Sequence, residues 1–459
     1  MPGMLSTLDA GRWLAAGGVL AAYAALCWQC LGRARRRLPP ASETAADGVL
    51  IAYASQSGQA LELAEQAAQA LGTAGVPAIC LPLERVELAR LQTCRQALFV
   101  VSTCGEGDAP DNAAGFVDRY LHVAADLPAL RYGVLALGDA SYARFCAFGR
   151  RLDAWLQRSG ARPLFDRIEV DRMAPAALAH WQHRLASVGG LSEASAPAVT
   201  RAPLQHWCLR SSRLLNAGSA GWPVYQVELQ AVDAAGAPCA LPDWEPGDLL
   251  QLFPPGEDER PRDYSIASLP ASGVVQLLVR EVRDEDGRPG RMSALLGGAA
   301  QTGTSFAGRV RAHPGFRLGA NAARPLILIG NGTGLAGLLA HLRWRAQQGD
   351  GRNWLLFGER QAAFDALHAD ELASLEARDL LARCDRVFSR DAPAGEYVQH
   401  RLERAADTLR EWVAGGAAIY VCGNAVGMAP AVHETLGRLL GADALARLAE
   451  EGRYRRDVY

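Results

Sequence analysis

Val49-Leu50-Ile51-Ala52-Tyr53 runs, after Ala54, into Ser55-Gln56-Ser57-Gly58-Gln59-Ala60. A short unbroken apolar run of this kind fits a strand buried on both faces. The Ala/Leu/Glu-rich stretch 60–72 behind the turn predicts a helix. Two further apolar runs, ALFVVS (97–102) and YGVLALG (132–138), also end in glycine-bearing loops. Strand, glycine loop and helix in repetition is the pattern of an α/β parallel sheet, whose ligands sit at the carboxyl ends of its strands. A helical stretch at 174–187 closes this unit.

Three loops should therefore open on one sheet edge. The first, Ser55 to Ala60, offers hydroxyls and free backbone N–H groups at a strand-to-helix turn, which is either an anion cradle or an ordinary turn. It has no Lys after the glycine, so it is not the Walker type, and a monophosphate suits it better. The second is Ser102-Thr103-Cys104-Gly105-Glu106-Gly107-Asp108, followed by Pro110-Asp111-Asn112. The third is Leu137-Gly138-Asp139-Ala140-Ser141-Tyr142-Ala143-Arg144-Phe145-Cys146. Glycine lets backbone approach a flat ring, and Tyr142 offers an aromatic face for stacking. Glu106, Asp108, Asp111 and Asp139 predict an acidic rim suited to a basic partner surface.

Downstream the period changes. VYQVELQAV (224–232), DLLQLF (248–253) and VVQLLVREV (274–282) alternate apolar and polar residues, which predicts an antiparallel β-barrel. Within it lies Arg262-Asp263-Tyr264-Ser265-Ile266-Ala267-Ser268. Arg262 can pair with a phosphate, Tyr264 can stack on a ring, and Ser265 can hydrogen-bond a ring edge. Gly290-Arg291-Met292-Ser293 opens a helical stretch whose N–H groups suit a pyrophosphate. From PLILIG (325–330) the α/β rhythm returns, and Gly330-Asn331-Gly332-Thr333-Gly334 is a dinucleotide-type turn, although not the GxGxxG fingerprint. NWLLFGE (353–359) and AIYVCGN (418–424) are further strands, the second carrying Cys422 towards the same crevice. The terminal Arg453 to Tyr459 reads either as a frayed tail or as an aromatic end lying on a bound ring.

Bulk properties set limits. A chain of 459 residues, 49% hydrophobic and 21% charged, has room for two to four ordinary globular domains. The net charge of −2 gives no field for nucleic acid. Cys27 and Cys30 form the only CxxC pair, inside an apolar stretch, so no metal site is expected. Trp13 to Leu31 is almost uninterruptedly apolar, and about 19 residues at about 1.5 Å each span about 29 Å, roughly one bilayer core. Arg33, Arg35, Arg36 and Arg37 follow it, which predicts an uncleaved single-pass anchor in the cytoplasmic membrane with the catalytic domains facing the cytoplasm. A buried core helix is the bland alternative.

In this order the motifs resemble the diflavin reductases, a group that includes the flavoprotein subunits of NADPH–sulfite reductase and the NADPH–haemoprotein reductases. The resemblance covers residues 48 to 459. It implies a flavodoxin-like FMN domain and a ferredoxin–NADP reductase-like module made of an FAD barrel and an NADP domain. The expected layout is anchor 1–32, linker 33–47, FMN domain 48–190, linker 191–203, FAD barrel 204–318 and NADP domain 319–459. Position by position, Ser55, Gln56, Ser57, Gly58, Gln59 and Ala60 match the FMN phosphate loop, with Ser57 replacing the usual Thr. Ser102, Thr103, Cys104 and Gly105 match the second FMN loop, and Leu137, Gly138, Asp139, Ser141, Tyr142, Phe145 and Cys146 the third.

For FAD, the resemblance assigns Arg262, Tyr264, Ser265 and the loop Gly290, Arg291, Met292 and Ser293. For NADPH it assigns Gly332, Thr333 and Gly334, then Ser389 and Arg390 at the 2′-phosphate, with Tyr397 and Gln399 in the same motif. Ser265, Cys422 and Asp457 match the polar set around hydride transfer, and Tyr459 the terminal aromatic covering the FAD ring. Three departures stand out. Gly395 lies where the family carries Lys, Asn424 replaces an Asp, and the helical connecting domain usual between Pro246-Gly247-Asp248 and Arg262 is missing. The N-terminal anchor resembles that of the microsomal haemoprotein reductases in placement. The function implied is electron transfer from NADPH through FAD and FMN to a haem- or metal-containing acceptor protein of the haemoprotein or sulfite-reductase type, membrane-bound in one version. The alternatives are a flavin carrier module loaded by another reductase and a reductase serving a membrane haem or iron-uptake system.

Overall fold

The computed structural model describes residues 48–55, 58–104, 107–188, 204–255, 261–284, 286–391 and 395–459. The expected anchor Trp13 to Leu31 and both linkers lie outside the described residues. Among the described residues no helix is long and apolar enough to cross a membrane.

The first sheet joins β1 (Val49–Ala54), β2 (Ala78–Pro82), β3 (Gln96–Ser102), β4 (Arg131–Gly138), β5 (Arg162–Pro163) and β6 (Ile168–Asp171). Its order is β2-β1-β3-β4-β5, with β6 also on β4, and every pair is parallel. That is the flavodoxin-like doubly wound order. Successive residues of β1 feed opposite cores. Leu50 and Ala52 pack with Phe99, Phe116 and Trp155 on one side. Val49 and Ile51 pack with Leu98, Leu63 and Trp181 on the other. Burial on both faces is why these strands read as continuous apolar runs.

The second sheet joins β7 (Gln205–Leu214), β8 (Val224–Val232), β9 (Leu249–Phe253), β10 (Arg262–Ser265), β11 (Val275–Arg280) and β12 (Ser305–Arg311). It is antiparallel in the order β10-β9-β12-β7-β8-β11. Its outermost strands meet through an Ile266–Leu277 bridge and an Ala267 N–H bond of 2.8 Å to the Gln276 carbonyl. The sheet thus closes into a barrel and leaves its ends paired. Trp207, Leu229, Leu250, Leu277 and Phe306 fill the interior. Only the segment 254–261 separates β9 from β10, so no domain is inserted there.

The third sheet joins β13 (Leu326–Asn331), β14 (Asn353–Glu359), β15 (Arg383–Phe388), β16 (Ala418–Gly423) and β17 (Tyr454–Val458). It is parallel in the order β15-β14-β13-β16-β17. This is the dinucleotide-binding order, with the switch point between β13 and β16. The C-terminal segment is therefore a paired strand and not a frayed tail. Asn321 secures the joint below it, donating to Tyr420 Oη at 3.0 Å and to the Gly452 carbonyl at 2.7 Å.

The flavodoxin-like helix Asp111–Tyr120 meets the C-terminal helix Ala442–Glu450. Arg119 pairs with Glu450 at 3.6 Å and also donates to the Glu84 carbonyl at 2.9 Å. Burial at this joint pushes the Glu84 carboxyl up to about 7 from its usual 4.5, with Arg85 opposing the shift and Glu450 adding to it. A raised carboxyl favours the protonated folded form. Its stabilisation is full below the unfolded value and is lost as pH rises through about 7. Thermal midpoints should accordingly fall more between pH 5 and 8 in the native chain than in Glu84→Gln. Parallel curves for the two proteins would contradict the burial of this carboxyl.

Candidate active site

The three predicted loops do gather at the carboxyl edge of the first sheet, after β1, β3 and β4. Gly58 begins the helix Gln59–Thr73 with φ of 82°, a conformation open to glycine and strained for other residues. Ser55 Oγ accepts from Ala60 N at 3.2 Å, and Ser55 N donates to Asn112 Oδ1 at 3.0 Å. The Asn112 bond ties the first loop to the second. Gln56, Ser57, Gly105 and Glu106 lie outside the described residues.

In the second loop Thr103 N donates to the Leu137 carbonyl at 2.9 Å, and Thr103 Oγ1 accepts from Phe148 N at 3.3 Å. Ser102 ends β3, and Cys104 bridges to Asp108. In the third loop Asp139 accepts from Ser141 N and Oγ at 2.8 and 2.6 Å. Leu137 and Cys146 are buried, and Cys146 adopts φ of 53°. A Cβ on Gly138 would stand 2.9 Å from Cys146 Sγ and 3.0 Å from the Phe145 ring, so only glycine fits this turn. Tyr142 is half exposed, with its ring free to face a ligand.

Of the carboxylates expected to make the rim acidic, Glu106 lies outside the described residues, and a cation stands beside Asp139. Asp139 is engaged within its own loop and lies 3.8 Å from Arg172, which also pairs with Asp171 at 2.8 Å. Arg144 packs beneath Gly107. These cations come from neighbouring positions that a count of Asp and Glu overlooks.

A second cleft lies between barrel and C-terminal sheet. Arg262, Tyr264, Ser265, Gly290, Arg291, Met292, Ser293, Thr333 and Tyr459 all line it. Arg262 and Arg291 are exposed at its mouth, while Met292 and Ser293 are buried. Ser293 Oγ donates to the Gly290 carbonyl at 2.8 Å and accepts from Val282 N at 3.2 Å, which shapes the turn. Arg280, unmarked by sequence, joins the same lining and pairs with Glu359 at 2.5 Å.

At the inner end of this cleft Asp457 gathers the polar groups. Cys422 and Asp457 are register partners in the β16–β17 pair. Ser265 Oγ donates to Asp457 Oδ2 at 2.9 Å, and Cys422 Sγ lies 3.7 Å from the same oxygen. His313 Nδ1 stands 4.0 Å from the other oxygen. Burial first, then the Asp457 charge, push the Cys422 thiol well above its ordinary range, so it stays protonated. Tyr459 is held by its backbone, donating to Gly423 O at 3.1 Å and accepting from Ala425 N at 3.0 Å. Its hydroxyl is 3.4 Å from Thr333 Oγ1.

The dinucleotide-type turn is closely packed. A Cβ on Gly334 would fall 2.2 Å from the Cys422 carbonyl oxygen, and Gly332 has φ of 59°. Asn331 Oδ1 accepts from Asn424 N at 3.0 Å, and Asn424 Oδ1 accepts from Gly427 N at 2.6 Å. The Asn331 side chain therefore staples the β13 turn to the β16 turn, through the backbone of Asn424. Ser389 N bonds to the Glu359 carbonyl at 2.9 Å, Arg390 and Tyr397 are exposed, and Gln399 is half-buried. Gly395 has φ of 57° and a notional Cβ only 2.4 Å from the Ser389 carbonyl, so this turn cannot carry a lysine without moving.

Two domain families match the chain: flavodoxin over residues 51–181 and the oxidoreductase NAD-binding domain over residues 328–434. With the barrel between them, they define the class: the chain is a flavoprotein oxidoreductase. It is similar to the sulfite reductase [NADPH] flavoprotein alpha-component of Neisseria meningitidis serogroup C, 27% identical, with 99% of this chain and 96% of the relative covered. The proteins of the same name from Bacillus subtilis and Vibrio cholerae are each 27% identical, covering 90% and 91% of this chain and 89% and 88% of theirs. The Neisseria alignment runs over 590 positions against 459 residues here, so that relative carries segments with no counterpart in this chain.

The packing at Gly334 yields a direct test. Gly334→Ala should lower unfolding stability by roughly 1–3 kcal/mol, the usual cost of overpacking. Urea midpoints read this, and an unchanged midpoint would refute the close approach to Cys422.

Proposed function

We propose that the chain takes hydride from NADPH at the second cleft and delivers electrons singly from the first pocket to a haem- or metal-containing protein. The cofactors are FMN, FAD and NADPH. The observation that carries this reading is the Ser265–Asp457–Cys422 cluster beneath Tyr459. A buried carboxylate flanked by a hydroxyl and a protonated thiol suits a site where charge develops on a transferring group. Bound flavins supply the conversion of a two-electron donor into one-electron steps.

The residues fit such groups. In the first pocket Gly58 supplies the left-handed turn, and Gly138 the close packing on Cys146, that shape the loops. In the second, Arg262 and Arg291 stand at the mouth, in reach of a pyrophosphate. Ser265 and Cys422 orient the nicotinamide-facing side, and Asp457 holds both in place. Tyr459 covers the cleft and must turn aside for nicotinamide to stack. Ser389 and Arg390 receive the 2′-phosphate, with Tyr397 and Gln399 beside them. The relatives' names support an acceptor of the sulfite-reductase kind.

Gly395 and Asn424 favour the carrier-module alternative only if they mark a decayed site. Each instead has a local duty, Gly395 in a tight turn and the Asn424 side chain in accepting from Gly427 N. Anaerobic NADPH added to the flavin-loaded protein should bleach both flavins; failure of either to bleach would leave the carrier reading standing. Arg390→Ala should raise KM for NADPH roughly tenfold to a hundredfold, as expected for loss of a charged hydrogen bond, with KM for NADH within about twofold. Equal effects on the two dinucleotides would sink the 2′-phosphate assignment.

We also assign Trp13 to Leu31 as a single-pass anchor in the cytoplasmic membrane, on its apolar length and the arginines behind it. The full chain should sediment with membranes and resist alkaline carbonate, whereas a chain starting at residue 48 should not. Release of the full chain by carbonate would refute the anchor.

A further inference from the structure

Arg311 ends β12 and is only 5% exposed. One arm of its guanidinium pairs with Asp263. Nε and Nη2 are buried and have no hydrogen-bond partner among the described residues. Leaving two guanidinium donors unpaired inside a protein is costly, and such groups call for an acceptor.

The unpaired side faces the first loop of the flavodoxin-like domain. A Cβ on Gly58 would lie 3.8 Å from Arg311 Nη2 and 3.3 Å from the Ala312 carbonyl oxygen. Gly58 opens the 15-residue helix Gln59–Thr73, whose first N–H groups have no acceptor within the helix. That loop brings no cation of its own, since Ser55 to Ala60 contains neither Lys nor Arg. Glu62 in the first helical turn works against an anion. A phosphate dianion seated there would meet neutral donors only, unless a positive group arrives from outside. Arg311 is such a group, already desolvated.

We propose that Arg311 of the barrel is a ligand of the FMN phosphate in the flavodoxin-like pocket. This rests on reading that pocket as the FMN site. A residue of one domain thereby holds the nucleotide of another, and FMN retention depends on the two domains being docked. The same arginine pairs with Asp263, whose neighbours in sequence are Arg262 and Tyr264. Gln251 donates to Asp263 Oδ1 at 3.0 Å and accepts from Arg309 Nε at 3.0 Å, bracing the strand that carries those residues. Phosphate binding on one side and the shape of the second cleft on the other are linked through one guanidinium.

Riboflavin, which lacks the phosphate, separates the terms. The full chain, stripped of FMN and saturated with FAD, is titrated with FMN and with riboflavin by flavin fluorescence. The ratio of the two dissociation constants reads what the phosphate contributes. In Arg311→Gln this ratio should fall roughly tenfold to a hundredfold, with riboflavin affinity within about twofold of the native value. Should Arg311→Gln not fold, the pair Arg311→Met with Asp263→Asn removes both charges together and leaves Gln251 its acceptor, a change that buried ion pairs often tolerate. Weakened FMN binding with riboflavin spared supports the proposal. An unchanged ratio in a folded variant, or equal weakening of both flavins, overturns it while the pocket assignment stands. A native chain that takes up neither flavin removes the pocket assignment, and the proposal with it.

Discussion

The pairing of β17 with β16 is the constraint on which the second cleft depends. It sets Asp457 opposite Cys422, and the Asp457 carboxylate then draws Ser265 in from the barrel at 2.9 Å. A serine at the end of β10, a cysteine at the end of β16 and an aspartate near the chain terminus come from separate elements. One buried carboxylate unites them, and its desolvation is offset by the groups that face it. The same pairing continues to Tyr459, whose backbone is clasped by Gly423 and Ala425. The barrel and the third sheet are in this way joined by polar contacts at the place where both present their ligand-facing edges.

Much of the architecture was legible in the sequence, for a physical reason. Strands buried on both faces must be apolar throughout, so VLIAY, ALFVVS and PLILIG announce parallel sheets without any partner being known. Barrel strands, with one side inward, alternate. Local turns were also legible, because glycine is nearly obligatory at φ of 82° or where a Cβ would meet a carbonyl at 2.2 Å. The cofactor-facing residues were assigned through resemblance, since spacing alone relates Cys422 to neither Ser265 nor Asp457.

What stayed hidden are the pairings between distant positions. Asn112 supports Ser55 from 57 residues away, and nothing in either stretch proclaims the bond. Arg311 looks like any barrel arginine until its neighbours are known. Arg280 and Glu359 meet across 79 positions. A carboxylate's contribution to a surface is hidden for the complementary reason, because it depends on what the group bonds, as Asp139 does Ser141.

The joint between the flavodoxin-like part and the helix ending at Glu450 has a mechanical meaning. Its visible ion pair, Arg119 with Glu450, is nearly half exposed at both ends and 3.6 Å long. Pairs of this sort contribute about 0–1 kcal/mol, which is comparable with thermal energy, and dissolved salt weakens them further. The approach of Gly58 to the buried Arg311 is a contact of the other kind, dry and little touched by salt. Ionic strength is therefore a dial on one of the two seams and not on the other.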